Sequence, residues 1–404
     1  MMNRPRTPHA IPIAAVLVAA AALAPRAQST PAARVTKIAG DKHHLALMSD
    51  GRVIGWGQFR SGQLGPYDKI NAPGLYSLAP IPQELSGKAV DVAASDSTSY
   101  VLFEDGSVWA WGRGDYGQLG LGAIPPLPLL PSPDPAFQYR GADRPRRVPL
   151  PPAVAVAASG GAAYAVLRDG SVRVWGNIRL SNSPKEGFTN GPVPVAGAAD
   201  VASISAGQTH TLVVTKDGRV YGWGSNSSGE LGREWTAETW IDRAVAIEGL
   251  TDVVTAAAAM NTSTALKKDG AVVVWGTNRD GLFGNGIHTS HPTQGARVTP
   301  EPVPGIANVT ALASAGRHTV VLLKDGTVRG WGNTDFGQLG AGVSGTYQPK
   351  PVTPKIAGVE RIFAGGNNTF VVKTDGSLWG WGGGGSSDWP FKTNVKVPTA
   401  VELK

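Results

Sequence analysis

The sequence predicts an all-β protein, a seven-bladed β-propeller of four-stranded antiparallel blades, and three observations carry that reading. Asp-Gly, four residues and then Trp-Gly recur seven times in the 404 residues, at Asp50/Trp56, Asp105/Trp111, Asp169/Trp175, Asp217/Trp223, Asp269/Trp275, Asp325/Trp331 and Asp375/Trp381. The offset is fixed, whereas the steps between successive aspartates are 55, 64, 48, 52, 56 and 50, so a rigid unit alternates with connections of variable length. Finally, 53 Gly and 31 Pro favour many tight turns over long helices.

Taken in order, the amino terminus stands apart from the repeats. Arg4 and Arg6 precede an apolar run of 14 residues, Ile11 to Ala24, which is too short to cross a bilayer and has the shape of a secretory signal. Residues 1–27 are therefore expected to be a signal peptide, with cleavage between residues 24 and 31, and residues 34–404 a single propeller. No later stretch has 18 uninterrupted apolar residues, so the mature chain is expected to be exported without inserting into a membrane. Loss of Arg4, Arg6 and Arg26 takes the formal charge from +7 to +4, and the remaining Lys and Arg are scattered through turns. That pattern argues against a nucleic-acid partner.

Repeat four, VASISAGQTHTLVVTKDGRVYGWG, shows the plan of one unit. A first strand ends at Ala206-Gly207 and a second runs through Leu212 to Thr215. Asp217-Gly218 then supplies the positive-φ positions of a tight hairpin, and Arg219 to Trp223 is the return strand. After a longer loop a fourth strand is marked by Ile81-Pro82, Val148-Pro149, Pro192-Val193-Pro194, Ala244-Val245, Pro302-Val303-Pro304, Pro351-Val352 and Val397-Pro398. Proline there implies an outer strand, because it cannot donate to a neighbour on both sides. The repeated Trp56, Trp111, Trp175, Trp223, Trp275, Trp331 and Trp381 read as packing between blades. The chain ends in a Pro-Val strand while the first repeat begins without one, so residues 395–404 are expected to complete a blade beside the start of repeat one.

The unit Ala-Gly-x-x-His through Asp-Gly to Trp-Gly-x-Asn-x-x-Gly-Gln-Leu-Gly resembles the repeat of the regulator of chromosome condensation family. Repeat six carries nearly all of it, in Ala315-Gly316-Arg317-His318, Asp325-Gly326, Trp331-Gly332-Asn333 and Gly337-Gln338-Leu339-Gly340. Repeats one, two, four and five keep the ending as Gly62-Gln63-Leu64-Gly65, Gly117-Gln118-Leu119-Gly120, Gly229-Glu230-Leu231-Gly232 and Gly281-Leu282-Phe283-Gly284, and repeats three and seven lack it. The resemblance implies the propeller fold over residues 34–404. Its founding member would imply a nuclear exchange factor for a small GTPase, against which the signal peptide argues. A secreted bacterial branch inhibits β-lactamases through loop aromatics. Here those places hold Asp41-Lys42, Ser97-Thr98, Gly160-Gly161, Gln208-Thr209 and Asn367-Asn368, so that partner is not expected.

In a four-stranded meander the first and third turns share one face of the ring and the Asp-Gly hairpins the other. The first face varies most between repeats and is the expected binding face. Its candidate residues are Lys42, Phe59, Arg60, Asp115, Tyr116, Arg179, Arg279, Asp280, Arg317, Asp335 and Phe336. Phe59, Tyr116 and Phe336, close before Gly-Gln-Leu-Gly, would suit a protein partner as anchors or would cover the loop beneath them. The longest insertion, 121–147, is rich in proline between Pro125 and Pro135 and carries Arg140, Arg144, Arg146 and Arg147; it reads as a stiff arm or a disordered decoration.

Chemistry-bearing motifs are scarce. With no cysteine, disulfides, thiolate metal sites and thiol nucleophiles are excluded. Serine-hydrolase, zincin and phosphate-loop signatures are absent. Gly112-Arg113-Gly114-Asp115-Tyr116-Gly117 fits a dinucleotide fingerprint in letters, but no helix follows it. His43, His210 and His318 occupy equivalent repeat positions, and each is expected to hydrogen-bond within its blade or to the next. His288 and His291 lack a third ligand nearby. The expectation is a monomeric, non-catalytic module without cofactor or metal that binds another protein; the alternative is a guanine-nucleotide exchange factor.

Overall fold

The computed structural model describes residues 33–66, 76–122, 127–130, 139–178, 187–234, 239–289, 295–343, 345–383 and 393–403. These form seven four-stranded antiparallel sheets, each built from four consecutive strands in chain order. Blade one consists of Val35–Gly40, His43–Met48, Val53–Gln58 and Tyr76–Pro82, and blade seven of Val359–Gly365, Asn368–Lys373, Leu378–Gly382 and Val395–Val401. No helix occurs among the described residues. The outer strand carries proline in six of the seven sheets, the exception being Trp240–Ala246 of blade four. In blade two that strand is Gly141–Arg147, which lies inside the stretch read as an insertion, and Val148-Pro149 follows it.

The composition of each strand follows from its radius. Second strands are covered on both faces and are apolar runs such as Leu212-Val213-Val214 and Val320-Val321-Leu322. Inner strands converge on the axis, where only small side chains fit, as in Ala153-Val154-Ala155-Val156-Ala157-Ala158-Ser159 and Val253-Val254-Thr255-Ala256-Ala257-Ala258.

The Asp-Gly hairpin differs in one detail from the sequence reading. Only the glycine takes positive φ, +87° at Gly51 and +88° at Gly106, and the aspartate does not. The aspartate instead accepts the amide two residues on, at 2.8 to 3.1 Å, in six of the seven turns. The glycine of Trp-Gly is needed for a different reason. A Cβ on Gly57 would stand 2.7 Å from the Lys42 carbonyl oxygen, and one on Gly382 2.1 Å from that of Asn367. The return strand is thus pressed against the first turn of its own blade.

Blades are joined by a repeated pin. The carbonyl of the residue before the buried Leu or Phe of Gly-x-Leu-Gly accepts the indole N–H of the next blade's tryptophan: Trp175 on Gln118 (2.9 Å), Trp275 on Glu230 (2.8 Å), Trp331 on Leu282 (2.8 Å) and Trp381 on Gln338 (2.8 Å). A hydroxyl of the same neighbouring blade shares that carbonyl, Ser99 on Gln63 (2.7 Å), Ser263 on Glu230 (2.7 Å) and Thr369 on Gln338 (2.8 Å). The same hydroxyls meet the repeat histidines of the preceding blade, His43 to Ser99 (2.8 Å), His210 to Ser263 (2.8 Å) and His318 to Thr369 (3.0 Å). A donor that left this buried relay would strand its partners.

Among the described residues the ring closes by packing, without exchange of a strand. Val395–Val401 pairs only within blade seven, and Val401 and Phe370 join Val35, Ile38 and Trp56 of blade one in a single apolar cluster. Here His44 takes the place of the serine or threonine, stacked on Trp56 at 5.4 Å and edge-on to Phe370 at 5.4 Å.

Candidate functional site

Two of the cavities reach the face formed by the first and third turns beside the axis of the ring. On the axis, the inner strands enclose a channel of about 240 Å³ lined mostly by Ala, Ser, Gly and Val. Lys37, which lines it, pairs with Asp91 at 2.5 Å, and Asp91 also accepts the Val156 amide of blade three at 3.0 Å. Asp41 and Asp96, from the first turns of blades one and two, both line it, two acids that no motif announced. Burial holds the Asp41 carboxyl above its usual range, with Asp96 adding to the shift and Lys42 and Gln208 opposing it.

Beside the axis, blades one to three form a polar cleft of about 300 Å³ whose walls include Lys42, Arg60, Asp96, Arg113, Tyr116 and Tyr139. Each side chain is placed by a repeat-specific turn. Lys42 projects from the first turn of blade one and pairs with Asp96 of blade two at 3.2 Å, both half exposed. Arg60 follows Trp56-Gly57 and lies against the Gln58 side-chain amide. The Arg113 guanidinium sits 5.1 Å from the Tyr116 ring and 4.3 Å from the Tyr139 ring, and its Nε donates to Asp115 at 2.8 Å. Tyr116 in turn meets Phe188 of blade three edge-on at 6.3 Å.

Tyr139 belongs to the described end of the insertion, which folds back on the blade. The Leu130 amide donates to the Tyr139 carbonyl (2.8 Å), the Gly114 amide to the Arg140 carbonyl (2.8 Å) and the Arg140 amide to Asp115 (3.1 Å). Sequence reasoning missed Tyr139, Arg113 and Asp96 as members of this cleft, because none stands at a place that the repeat marks.

The sequence-predicted face residues separate into groups. Lys42, Arg60 and Tyr116 line the cleft, with Asp115 against its Arg113. Arg279, Arg317, Asp335 and Phe336 stand on blades five and six, outside its walls. Arg317 is committed to an ion pair with buried Asp280, through Nη2 at 2.5 Å, which ties blade six to blade five. Arg179 and His291 lie outside the described residues. His288 packs against the Tyr347 ring at 3.9 Å. Among the described residues no group of three or more His, Cys, Asp or Glu is gathered as for a metal.

Phe59 requires correction. It is 1% exposed and packs with Leu45, Leu64 and Trp111 in the core between blades one and two, so it offers nothing to a partner. It stands three residues before its Gly-x-Leu-Gly glycine, where Asn226, Asn278 and Thr334 are equally buried. That position faces the blade in these repeats. Tyr116, directly before the glycine, is 46% exposed.

The fold and this face define a class, a seven-bladed propeller with one variable, loop-built surface. The regulator of chromosome condensation (RCC1) repeat matches residues 39–63, 89–118, 201–230 and 309–338 by one profile and residues 105–167 and 217–266 by another. The chain thus carries RCC1 repeats. It is similar to the ultraviolet-B receptor UVR8 of Arabidopsis thaliana, 26% identical over 311 residues, which is 75% of this chain and 66% of the receptor. It is also similar to the Homo sapiens E3 ubiquitin-protein ligase HERC2, 29% identical over 332 residues, or 78% of this chain and 6% of the ligase. The match therefore spans less than two thirds of either relative. Among solved structures, Prp20p from Saccharomyces cerevisiae, described with its binding to Gsp1p and histones, superposes with a TM-score of 0.72 at 22% identity over 89% of this chain and 87% of that one. At that identity the likeness speaks for the fold alone.

Proposed function

We propose that the chain is an exported, monomeric, non-catalytic binding module, and that an acidic segment of a protein partner docks on the cleft of blades one to three. The observation that supports this reading most is the convergence of Lys42, Arg60 and Arg113 with Tyr116 and Tyr139 in one open cleft. An exposed pair such as Lys42 with Asp96 is worth little on its own, so a partner carboxylate can take the place of Asp96 at small cost. Arg113, placed by the Tyr116 and Tyr139 rings and by its Nε bond to Asp115, offers its remaining N–H groups to a carboxylate. Export rests on the apolar run from Ile11 to Ala24 after Arg4 and Arg6.

A second reading, exchange factor for a small GTPase, draws on the likeness to Prp20p, whose description names binding to Gsp1p. Affinity capture with residues 28–404 as bait separates the two. Extracytoplasmic and cytosolic proteins are offered in parallel, with wild type and the double variant Lys42→Glu, Arg113→Glu. Our reading expects an extracytoplasmic protein, lost with the double variant and weakened by salt. A cytosolic GTPase whose capture depends on nucleotide would replace it with the second reading.

A further inference from the structure

Two acids and one cation gather where the axial channel adjoins the polar cleft. Ser95, Asp96 and Gly160 line both cavities, so the two share a wall at the first turns of blades two and three. Asp41 of blade one also lines the channel, and its carboxylate lies so close to blade seven that a Cβ on Gly366 would clash with Oδ1. Asp96, Lys42 and Gln208 all act on that carboxyl. Lys42 is in turn paired with Asp96 at 3.2 Å and lines the cleft. The other first turns present Gly160, Ala259, Gly316 and Gly366 to the channel, none of them charged. Arg317, beside Gly316, is committed to Asp280, and Lys37 of the channel wall to Asp91. His44, against Gly365 of blade seven, is buried and stays neutral down to about pH 4. One cation therefore serves two carboxylates.

We infer that Asp41 is a proton switch for the cleft, whose neutral form lets an acidic partner segment dock more tightly. The inference rests on the reading that such a segment docks there, and it adds the regulation of that site. With Asp41 ionised, the group of Asp41, Asp96 and Lys42 carries one surplus negative charge, and the field of Lys42 is cancelled before a partner arrives. With Asp41 neutral, Lys42 and Asp96 balance, and a partner carboxylate that replaces Asp96 on Lys42 meets one repelling charge fewer. The neutral form is favoured by the site itself, since burial holds the Asp41 carboxyl above its ordinary value of 3.8 and Asp96 adds to the shift, against the opposing Lys42 and Gln208. Affinity is therefore lowest at neutral pH, rises as pH falls through the Asp41 value and levels off below it. Linkage makes the effect reciprocal, so a docked acid raises the proton affinity of Asp41 by the same factor. Asp41 touches no partner atom in this scheme and acts through its charge.

The test uses residues 28–404 and a rhodamine-labelled peptide of four cysteic acid residues, whose sulfonates keep their charge at every pH used. Affinity is read by fluorescence anisotropy at fixed ionic strength. Asp41→Asn mimics the neutral acid. It is expected to bind the peptide about fivefold more tightly than wild type at pH 7, the effect of one unit charge a few ångström away in water. It is also expected to lose most of the rise in affinity that wild type shows as pH is lowered toward 4.5. The double variant Lys42→Glu, Arg113→Glu reports whether binding is at the cleft, and Glu248→Gln, which removes an exposed acid of blade four, measures the effect of net charge alone. Near-ultraviolet circular dichroism at each pH follows the fold, and the wild-type pH series decides the matter if Asp41→Asn does not fold. Equal affinity of Asp41→Asn and wild type at pH 7, a wild-type affinity that does not change with pH, or an equal gain in Glu248→Gln overturns the inference, while binding that the double variant abolishes keeps the loop-face reading. If no binding depends on Lys42 and Arg113, both fall.

Discussion

At the scale of single residues, the buried histidines make the ring sensitive to acid. Burial lowers His43 to about 3 and His44, His210 and His318 to about 4 from the ordinary value of 6.5. Below pH 6.5 the unfolded chain therefore binds more protons than the folded one. The contribution of these residues is complete above pH 6.5 and is lost as pH falls toward 4. Thermal unfolding followed across that window should show a falling midpoint, and His318→Gln should flatten the dependence. A midpoint constant from pH 6.5 to 4 would contradict the burial of all four. The relay partners test the same relation from the other side. Ser263→Ala leaves His210 and the Glu230 carbonyl short of a hydrogen bond and should cost about 1–3 kcal/mol in chemical denaturation. The relay was partly legible in sequence, since three histidines recur at one repeat position. Phe59 was not, because an aromatic in a turn looks the same in letters whether it points into the blade or away from it.

At the scale of the element, two positive-φ glycines, Gly57 of Trp-Gly and Gly305 in the turn after the outer strand of blade five, differ in what they tolerate. Gly57 has φ +98° and a carbonyl 2.7 Å from any Cβ, so Gly57→Ala combines backbone strain with a clash and should cost about 2–4 kcal/mol. Gly305 has φ +71° with nothing within 4 Å, so Gly305→Ala should cost about 1–2 kcal/mol. Equal losses for the two would mean that close approach within the blade matters less than the geometry implies. The order of strands, the outer place of proline and the hairpin at Asp-Gly all follow from spacing, which is why they were readable. The outer strand of blade two was misplaced because Gly-Ala-Asp-Arg-Pro-Arg-Arg has none of the apolar alternation of a strand. It pairs by backbone on an exposed edge, where side chains are free to be charged.

At the scale of the whole molecule, side-chain packing holds blade seven against blade one, and among the described residues no strand is shared between them. Removal of residues 395–404 takes away the outer strand of blade seven and Val401 from the cluster with Val35 and Trp56. Calorimetry should show a lower and broader transition for the whole ring, whereas an unchanged transition would make the strand an appendage. The proposed binding face belongs to this scale as well. The sequence placed it on the first and third turns as an expectation and did not show the cleft, which joins Lys42 and Arg113 from two blades with Tyr139 from an insertion outside the repeat. The most direct test of the account is hydrogen exchange on the complex with the captured partner. Slowed exchange at the turns around Asp96, Arg113 to Gln118 and Gly160, with the Asp-Gly hairpins unchanged, is the result it predicts. Protection of the hairpins with those turns unchanged would contradict it.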